Sequence, residues 1–389
     1  MLFLEKRFVY ADNAATTAPY PRVIDEMMYY LRENWGNPSS IHSKGEEAKA
    51  ALNAYREKVA RILGCEAGEI VFTSCGTEAD NHAIRGAAYA NASKGRHIIT
   101  TKIEHPAVLN TCRALEKEGF RVTYLDVDSD GYITADDVEK AICHDTVLVS
   151  VMYANNEIGT VMPIADIADV CHKHGVLCMT DAVQAVGAVP INLRELGVDM
   201  LTASGHKIHA PKGIGLLYIK KGTKVKNLID GGGQEKGRRG GTENLPYIAA
   251  FSKALEISTA MLGDMARVEK MRDRLIEELT KIPRSRLNGS RTSRLPGNVN
   301  ISFECIEGES ILLLMDMAGI CCSTGSACSS NSLDPSHVLL AIGLPHEVAH
   351  GSVRLTLSHE NTEEDVDYII EKLTEVVARL RAMSPLWHE

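Results

Sequence analysis

The chain is 389 residues long, 44% apolar and 24% charged, a balance that suits packed globular domains and excludes a disordered or fibrous chain. A formal net charge of -9 argues against non-specific nucleic-acid binding and against a polybasic membrane-docking surface. No apolar run approaches a membrane span, the first residues lack the apolar core of a secretion signal, and the 10 cysteines contain no C-x-x-C pair, so the expectation is a reducing cytoplasm and no structural zinc site.

Residues 8–17 read as a short strand running into a loop of small residues, and Trp35-Gly-Asn-Pro-Ser-Ser40 is turn chemistry. A helix is expected over 43–63, with Ser43 as its N-cap and Gly64 as its stop. Strands over 69–73, 97–101, 121–125, 146–152, 175–180, 198–203 and 215–219 then alternate with helical patterns. This βαβ rhythm predicts an α/β fold with a mainly parallel, doubly wound, seven-stranded sheet. After Gly231-Gly-Gly233 the rhythm changes to two amphipathic helices across 245–279 and strands near 297–303 and 352–357. Asn361 or Thr362 caps a last helix with the apolar face Val366, Ile369, Ile370, Leu373, Val377 and Leu380. The expected division is a large domain over 15–256 and a small α+β domain built from 1–14 and 257–389.

The chemistry centres on Ser204-Gly-His-Lys207, which follows a short apolar strand. A lysine just past a buried strand loses hydration, which favours its free amine, the form that makes a Schiff base. One strand earlier, Thr180-Asp181 ends an apolar run, and a helix-length crossover puts both residues at one edge of a parallel sheet. A lysine for a Schiff base and an acid for a ring nitrogen are what pyridoxal 5'-phosphate (PLP) asks of a protein. Cys75-Gly76-Thr77 opens a helix after a strand, so free N–H groups and the helix dipole offer a phosphate cradle, strengthened by Ser204 and His206 nearby. His105 stands at a strand end, where its ring could stack on a cofactor and move protons, and an amide of Asn155-Asn156, or Gln184, could reach a phenolic oxygen. Thr242, closing a glycine-rich basic loop, offers a second phosphate contact, and Arg354, on a strand, offers a bidentate grip on a carboxylate.

Cys321 and Cys322 follow an apolar run and read as core, whereas Cys328 lies among Ser, Gly and Asn in a segment too polar to pack, which suits a mobile nucleophile. Two motifs are weighed and set aside. Asp126-Val-Asp-Ser-Asp130-Gly follows much of the calcium-loop pattern but comes after a strand, so a strand–turn–helix connection is expected. His346-Glu-Val-Ala-His350 is bracketed by Pro345 and Gly351 and reads as one helical turn, too short for a zinc-protease helix.

Taken together the chain resembles the NifS/IscS family of cysteine desulfurases, class V aminotransferase-like enzymes of PLP fold type I. The resemblance runs nearly end to end: Asp12-Asn-Ala-Ala-Thr-Thr17, Gly36-Asn-Pro-Ser-Ser40, Thr77-Glu, Glu104-His105, Asn155-Asn-Glu-Ile-Gly159, Thr180-Asp-Ala-Val-Gln184, His206-Lys207, Gly232-Gly-Gln-Glu235 and Ser323-Thr-Gly-Ser-Ala-Cys328. It implies that Lys207 holds PLP as a Schiff base and moves the Cα proton, Asp181 holds the pyridinium proton, and His105 stacks on the ring. Asn156 and Gln184 would bind the phenolic oxygen; Gly76, Thr77, Ser204 and His206 the phosphate; and Thr242 would reach across from the second subunit of a homodimer. Arg354, with Asn37 nearby, would take the carboxylate of L-cysteine, and the Cys328 thiolate would collect its sulfur as a persulfide, releasing L-alanine. An IscU/NifU-like scaffold is the implied acceptor, with Cys328 touching an iron–sulfur cluster in transfer. Gly76, Gly205, Ala210 and Gly240 depart from the family's commoner residues, small for small, and the segment ending at Trp387 resembles only the start of the scaffold-docking tail. The competing readings are another fold type I enzyme, such as an aminotransferase or selenocysteine lyase, and a metal or iron–sulfur protein using Cys321, Cys322 and Cys328.

Overall fold

The computed structural model describes residues 7–324 and 335–388. In chain order the first part comprises β1 (Val9–Tyr10), α1 (Pro21–Arg32), α2 (Ser43–Leu63), β2 (Ile70–Thr73), α3 (Gly76–Asn91), β3 (His97–Thr101), α4 (Pro106–Lys117) and β4 (Arg121–Leu125). It continues with α5 (Ala135–Ala141), β5 (Thr146–Ser150), α6 (Ile164–Lys173), β6 (Leu177–Asp181), α7 (Leu193–Leu196), β7 (Met200–Ser204) and β8 (Gly215–Ile219). Then come α8 (Leu245–Ala260), α9 (Met265–Leu279), β9 (Ser285–Leu287), β10 (Asn298–Phe303), α10 (Gly308–Met317) and β11 (Ile320–Cys321). The last elements are α11 (His337–Ala341), α12 (His346–His350), β12 (Ser352–Thr356) and α13 (Glu363–Met383).

Seven strands form one sheet in the order β2-β8-β7-β6-β5-β3-β4. Only β8 runs against its neighbours; the other pairs are parallel, as the βαβ rhythm predicts. The interior strands are buried along their length, apart from the half-buried Leu177 that opens β6, and alternate residues serve opposite faces. Ile98 and Leu148 pack with α3 and α4, while Ile99 and Val149 pack with α2, α6 and α8. A separate core joins Val9 and Ala11 to α9, α10, α13 and the three-stranded antiparallel sheet β12-β10-β9. There β1 pairs in parallel with β11, which ties the start of the described chain to residues more than three hundred positions later. α8 runs through residue 256 and contributes to the first core up to Leu255, whereas α9 enters the second core from Val268.

Several local readings shift by a residue or two. α2 does span 43–63 and stops at Gly64 with φ 75°, but its cap is His42, whose side chain accepts the Gly45 N–H at 3.3 Å. β6 and β7 start and end later than expected: Gly175, with φ 68°, holds the chain in a turn before β6, and Gly197, with φ 78°, precedes β7. Thr362, not Asn361, caps α13, with Asp365 completing a reciprocal capping box. The calcium-like stretch is a turn, in which the Asp128 carboxylate accepts the N–H groups of Asp130 and Tyr132 at 2.9 Å each before α5. α12 is five residues long, as the bracketing Pro345 and Gly351 require. No helix among the described residues is long and apolar enough to cross a membrane.

Candidate active site

The carboxyl ends of β2, β3, β5, β6 and β7 converge on a cavity of about 400 Å³. β6 ends on Asp181, registered opposite Thr202 of β7, and β7 ends on Ser204. A single tight turn, Gly205–Lys207, then delivers Lys207 to the same cavity as Asp181. The Asp12–Thr17 loop pins this turn: the Thr17 N–H and hydroxyl both donate to the His206 carbonyl, at 2.9 and 3.0 Å. His206 Nδ1 contacts the Thr16 hydroxyl at 3.2 Å, and Lys207 Nζ donates to the carbonyls of Ala14 and, at 2.8 Å, Ala15.

Opposite Lys207 lies the N-terminus of the sixteen-residue helix α3. A Cβ at Gly76 would stand 2.9 Å from Val183 Cγ2 and 3.4 Å from Ser204 Cβ. Glycine therefore keeps open a concave corner in which helix N–H groups, Thr77 and the Ser204 hydroxyl face one space. His105 caps α4, its Nδ1 accepting the Ala107 N–H at 3.1 Å, so the neutral ring carries its proton on Nε2. Gln184 Nε2 donates to the Ala14 carbonyl at 3.0 Å.

Arg354 of β12 enters from the second core and is 2% exposed. Its Nη1 donates to the Asn156 carbonyl and its Nη2 to Asp12 Oδ1, each at 2.9 Å. Its Nε is buried with no hydrogen-bond partner among the described residues. A guanidinium held at two corners with a donor to spare is preorganised for one more anion.

Burial dominates the electrostatics. It pushes the Asp181 carboxyl up, against the opposing pull of His105, the Val183 N–H and Lys207. The same burial lowers His105, with Asp181 raising it and Lys207 lowering it. His206 falls to about 4 through burial and the charges of Lys207 and Lys212. A cavity holding Asp181, Lys207 and a neutral His105 is equipped to keep a proton on a ring nitrogen and to move another nearby.

Gly76, Thr77, His105, Asn156, Asp181, Gln184, Ser204, His206, Lys207 and Arg354 all line this one cavity. Two of the expected residues do not. Thr242 lines a separate cavity of about 210 Å³ beside Arg239 and Glu243. Asn37 is exposed, and its side chain accepts the Ser39 N–H at 2.9 Å. Cys328 lies outside the described residues, but both flanks of its segment are tied to the cavity wall. The Ser323 backbone pairs with that of Arg354, at 2.6 and 3.1 Å, and the Ser336 hydroxyl donates to the Glu157 carboxylate.

Sequence reading missed Asp80, Glu157 and His337, which also line the cavity. Asp80 stands four residues after Gly76, one turn on and on the same helix face, a signal that was available. It accepts the Thr202 hydroxyl at 2.6 Å, and burial followed by the charge of Asp181 raises its pKa. Burial raises Glu157 to about 7. His337 carries no such signal, since the turn of helix that places it is set by tertiary contact.

Residues 9–369 match the class V aminotransferase family. The chain is 54% identical to the cysteine desulfurase IscS of Methanosarcina thermophila over 383 residues, 98% of this chain and 95% of the relative. It is 53% identical to the IscS of Clostridium botulinum over 385 residues, 98% and 97% of the two chains. Among solved structures, a NifS-like protein superposes with a TM-score of 0.91 at 40% identity, covering 96% of this chain and 100% of the other. Set beside the strand-end acid, the turn lysine and the glycine-opened helix terminus, these likenesses mean that the chain belongs to the class V aminotransferases and, within them, to the cysteine desulfurases.

Proposed function

We propose that this chain converts L-cysteine to L-alanine with PLP as cofactor and Cys328 as the sulfur-accepting thiol. The observation that carries the reading is the meeting of Asp181, Lys207 and the Gly76–Ser204 corner in one cavity of about 400 Å³. The residues fit the cofactor: the corner that a Gly76 Cβ would fill suits a phosphate, the buried acid suits a pyridinium, and the lysine suits an aldehyde. When bound, PLP supplies a Schiff-base electron sink at the substrate Cα.

Asp181 would hold the proton of the ring nitrogen, whose positive charge would offset the burial that pushes the carboxyl up. Lys207, whose Nζ donates to two carbonyls here, would hold the cofactor aldehyde and carry a proton at Nζ. His105 would stack on the ring and, with its Nδ1 held by the Ala107 N–H, pass a proton at Nε2. Asn156 and Gln184 serve the phenolic oxygen; Gly76, Thr77, Ser204 and His206 serve the phosphate; and Thr242 completes the phosphate site of the partner subunit in a homodimer. Arg354 takes the substrate carboxylate, so that the reacting sulfur is presented toward the segment that carries Cys328. Asn37, exposed here, contributes to substrate binding only through a rearranged loop. In the net step the substrate C–S bond breaks with its electron pair left on carbon, an S–S bond forms on Cys328, and one thiol proton is transferred to that carbon, which becomes the methyl group of L-alanine. The persulfide then passes to an acceptor, for which an IscU/NifU-like scaffold in iron–sulfur assembly is our assignment, in the cytoplasm. With the chain divided into 15–256 and 1–14 with 257–389, the sheet-end groups would belong to one domain and Arg354 and Cys328 to the other.

The test is the absorbance of the purified protein before and after L-cysteine, with L-alanine and Cys328 persulfide measured by mass spectrometry. Cys328→Ala retains the cofactor absorbance and releases no sulfide. Sulfide release at the parental rate from that variant refutes the proposal.

A further inference from the structure

We propose that His97, Cys143 and Asp145 form a binding site for a thiophilic divalent cation of the zinc type, at the sheet edge opposite the catalytic cavity. His97 opens β3, Cys143 and Asp145 stand in the turn before β5, and Arg121 opens β4. One nitrogen, one sulfur and one carboxylate oxygen all lie within 4.8 Å of one another, the only such group of three or more among the described residues. Cys143 Sγ is 3.1 Å from His97 Nδ1 and 3.1 Å from Asp145 Oδ1. Bonds of about 2.0–2.3 Å to a tetrahedral ion put ligand atoms roughly 3.5 Å apart. The two sulfur contacts therefore have to open by a few tenths of an ångström, and the His97 and Asp145 ligand atoms lie within 4.8 Å of each other, across a half-buried turn.

The histidine is held ready. Its ring is fully buried, with Nε2 2.8 Å from the Thr123 hydroxyl. The Thr146 hydroxyl accepts the Cys143 N–H at 2.9 Å and has its own proton to give to His97 Nδ1 at 2.8 Å. That places the ring proton on Nε2, toward Thr123, and gives the Nδ1 lone pair to the Thr146 hydroxyl; an ion takes that lone pair once the hydroxyl turns its proton to Cys143 Sγ, 3.2 Å away.

Binding requires one proton to leave. The Cys143 S–H bond breaks, its electron pair stays on sulfur to form the metal bond, and the proton passes to solvent with no change of oxidation state. Thiolate and carboxylate together neutralise the dication. His144, adjacent and exposed, or a water supplies a fourth donor. The opposing group is Arg121, whose Nη2 contacts Cys143 Sγ at 3.1 Å and Asp145 Oδ1 at 2.8 Å. Its side chain is 55% exposed, so it can turn out to solvent.

Co²⁺ is the probe, titrated into the metal-free, cofactor-loaded protein. The expected result is one equivalent bound with a thiolate-to-cobalt charge-transfer band and tetrahedral ligand-field intensity. Cys143→Ser abolishes the charge-transfer band of this equivalent, and His97→Gln weakens binding about tenfold or more. Arg121→Gln removes the competing cation and tightens binding about threefold. Cys143 is partly exposed, so Cys143→Ser stays informative if His97→Gln fails to fold. An unchanged spectrum and affinity in Cys143→Ser, or weaker binding in Arg121→Gln, overturns the assignment.

Discussion

Replacing Arg354 by lysine tests the substrate grip. The native guanidinium spends one N–H on Asp12 and one on the Asn156 carbonyl, both at 2.9 Å, and keeps its buried Nε in reserve. Lysine retains the charge but has a single nitrogen, so it can satisfy Asp12 or a substrate carboxylate, not both in the same geometry. The loss is one charge-assisted hydrogen bond to the carboxylate, about 1.5–3 kcal/mol. At 1.36 kcal/mol per decade that is roughly a 10- to 150-fold rise in KM for L-cysteine. The assay is steady-state alanine formation, with cofactor absorbance and thermal midpoint recorded on the same samples. An Asp12→Asn variant, which disturbs the same ion pair from its other end, controls for simple loosening. A KM within twofold of the parent, with the cofactor retained, refutes a carboxylate contact at Arg354.

Two further outcomes follow from burial. Glu157, raised from 4.5 to about 7, is protonated when folded and ionised when unfolded between those values. Stability is therefore full below pH 4.5 and falls as pH rises through 7, by a total on the order of 3 kcal/mol; Glu157→Gln should gain on the parent in thermal midpoint at pH 8 relative to pH 5, and an equal difference at both would exclude this. Breaking the buried bidentate pair between Arg56 and Glu235, with contacts of 2.7 Å, by Glu235→Gln leaves an uncompensated guanidinium and destabilises by about 3–5 kcal/mol in urea unfolding. A loss under 1 kcal/mol there would mean that water reaches the arginine.

Strand positions were legible because period and length are local properties. His97–Thr101, Arg121–Leu125 and Gly215–Ile219 match the expected bounds, and the amphipathic α9 and α13 follow their apolar stripes. Lys207 and Asp181 were legible for a related reason: in a parallel sheet, residues that end neighbouring strands meet at one edge. β8 was legible as a strand but not as the antiparallel one, since direction depends on which neighbours it pairs with.

What the amino-acid order determined by itself was the α/β class, the strand-end lysine and acid, and the family, because each rests on residues close together or on a pattern spread along the whole chain. Only the tertiary structure decided that Asp12 grips Arg354 from behind, 342 positions away. It alone brought Glu157 to Ser336, and His97 to Cys143 and Asp145. Such meetings depend on how three cores and three sheets pack, and short-range periodicity carries no information about that.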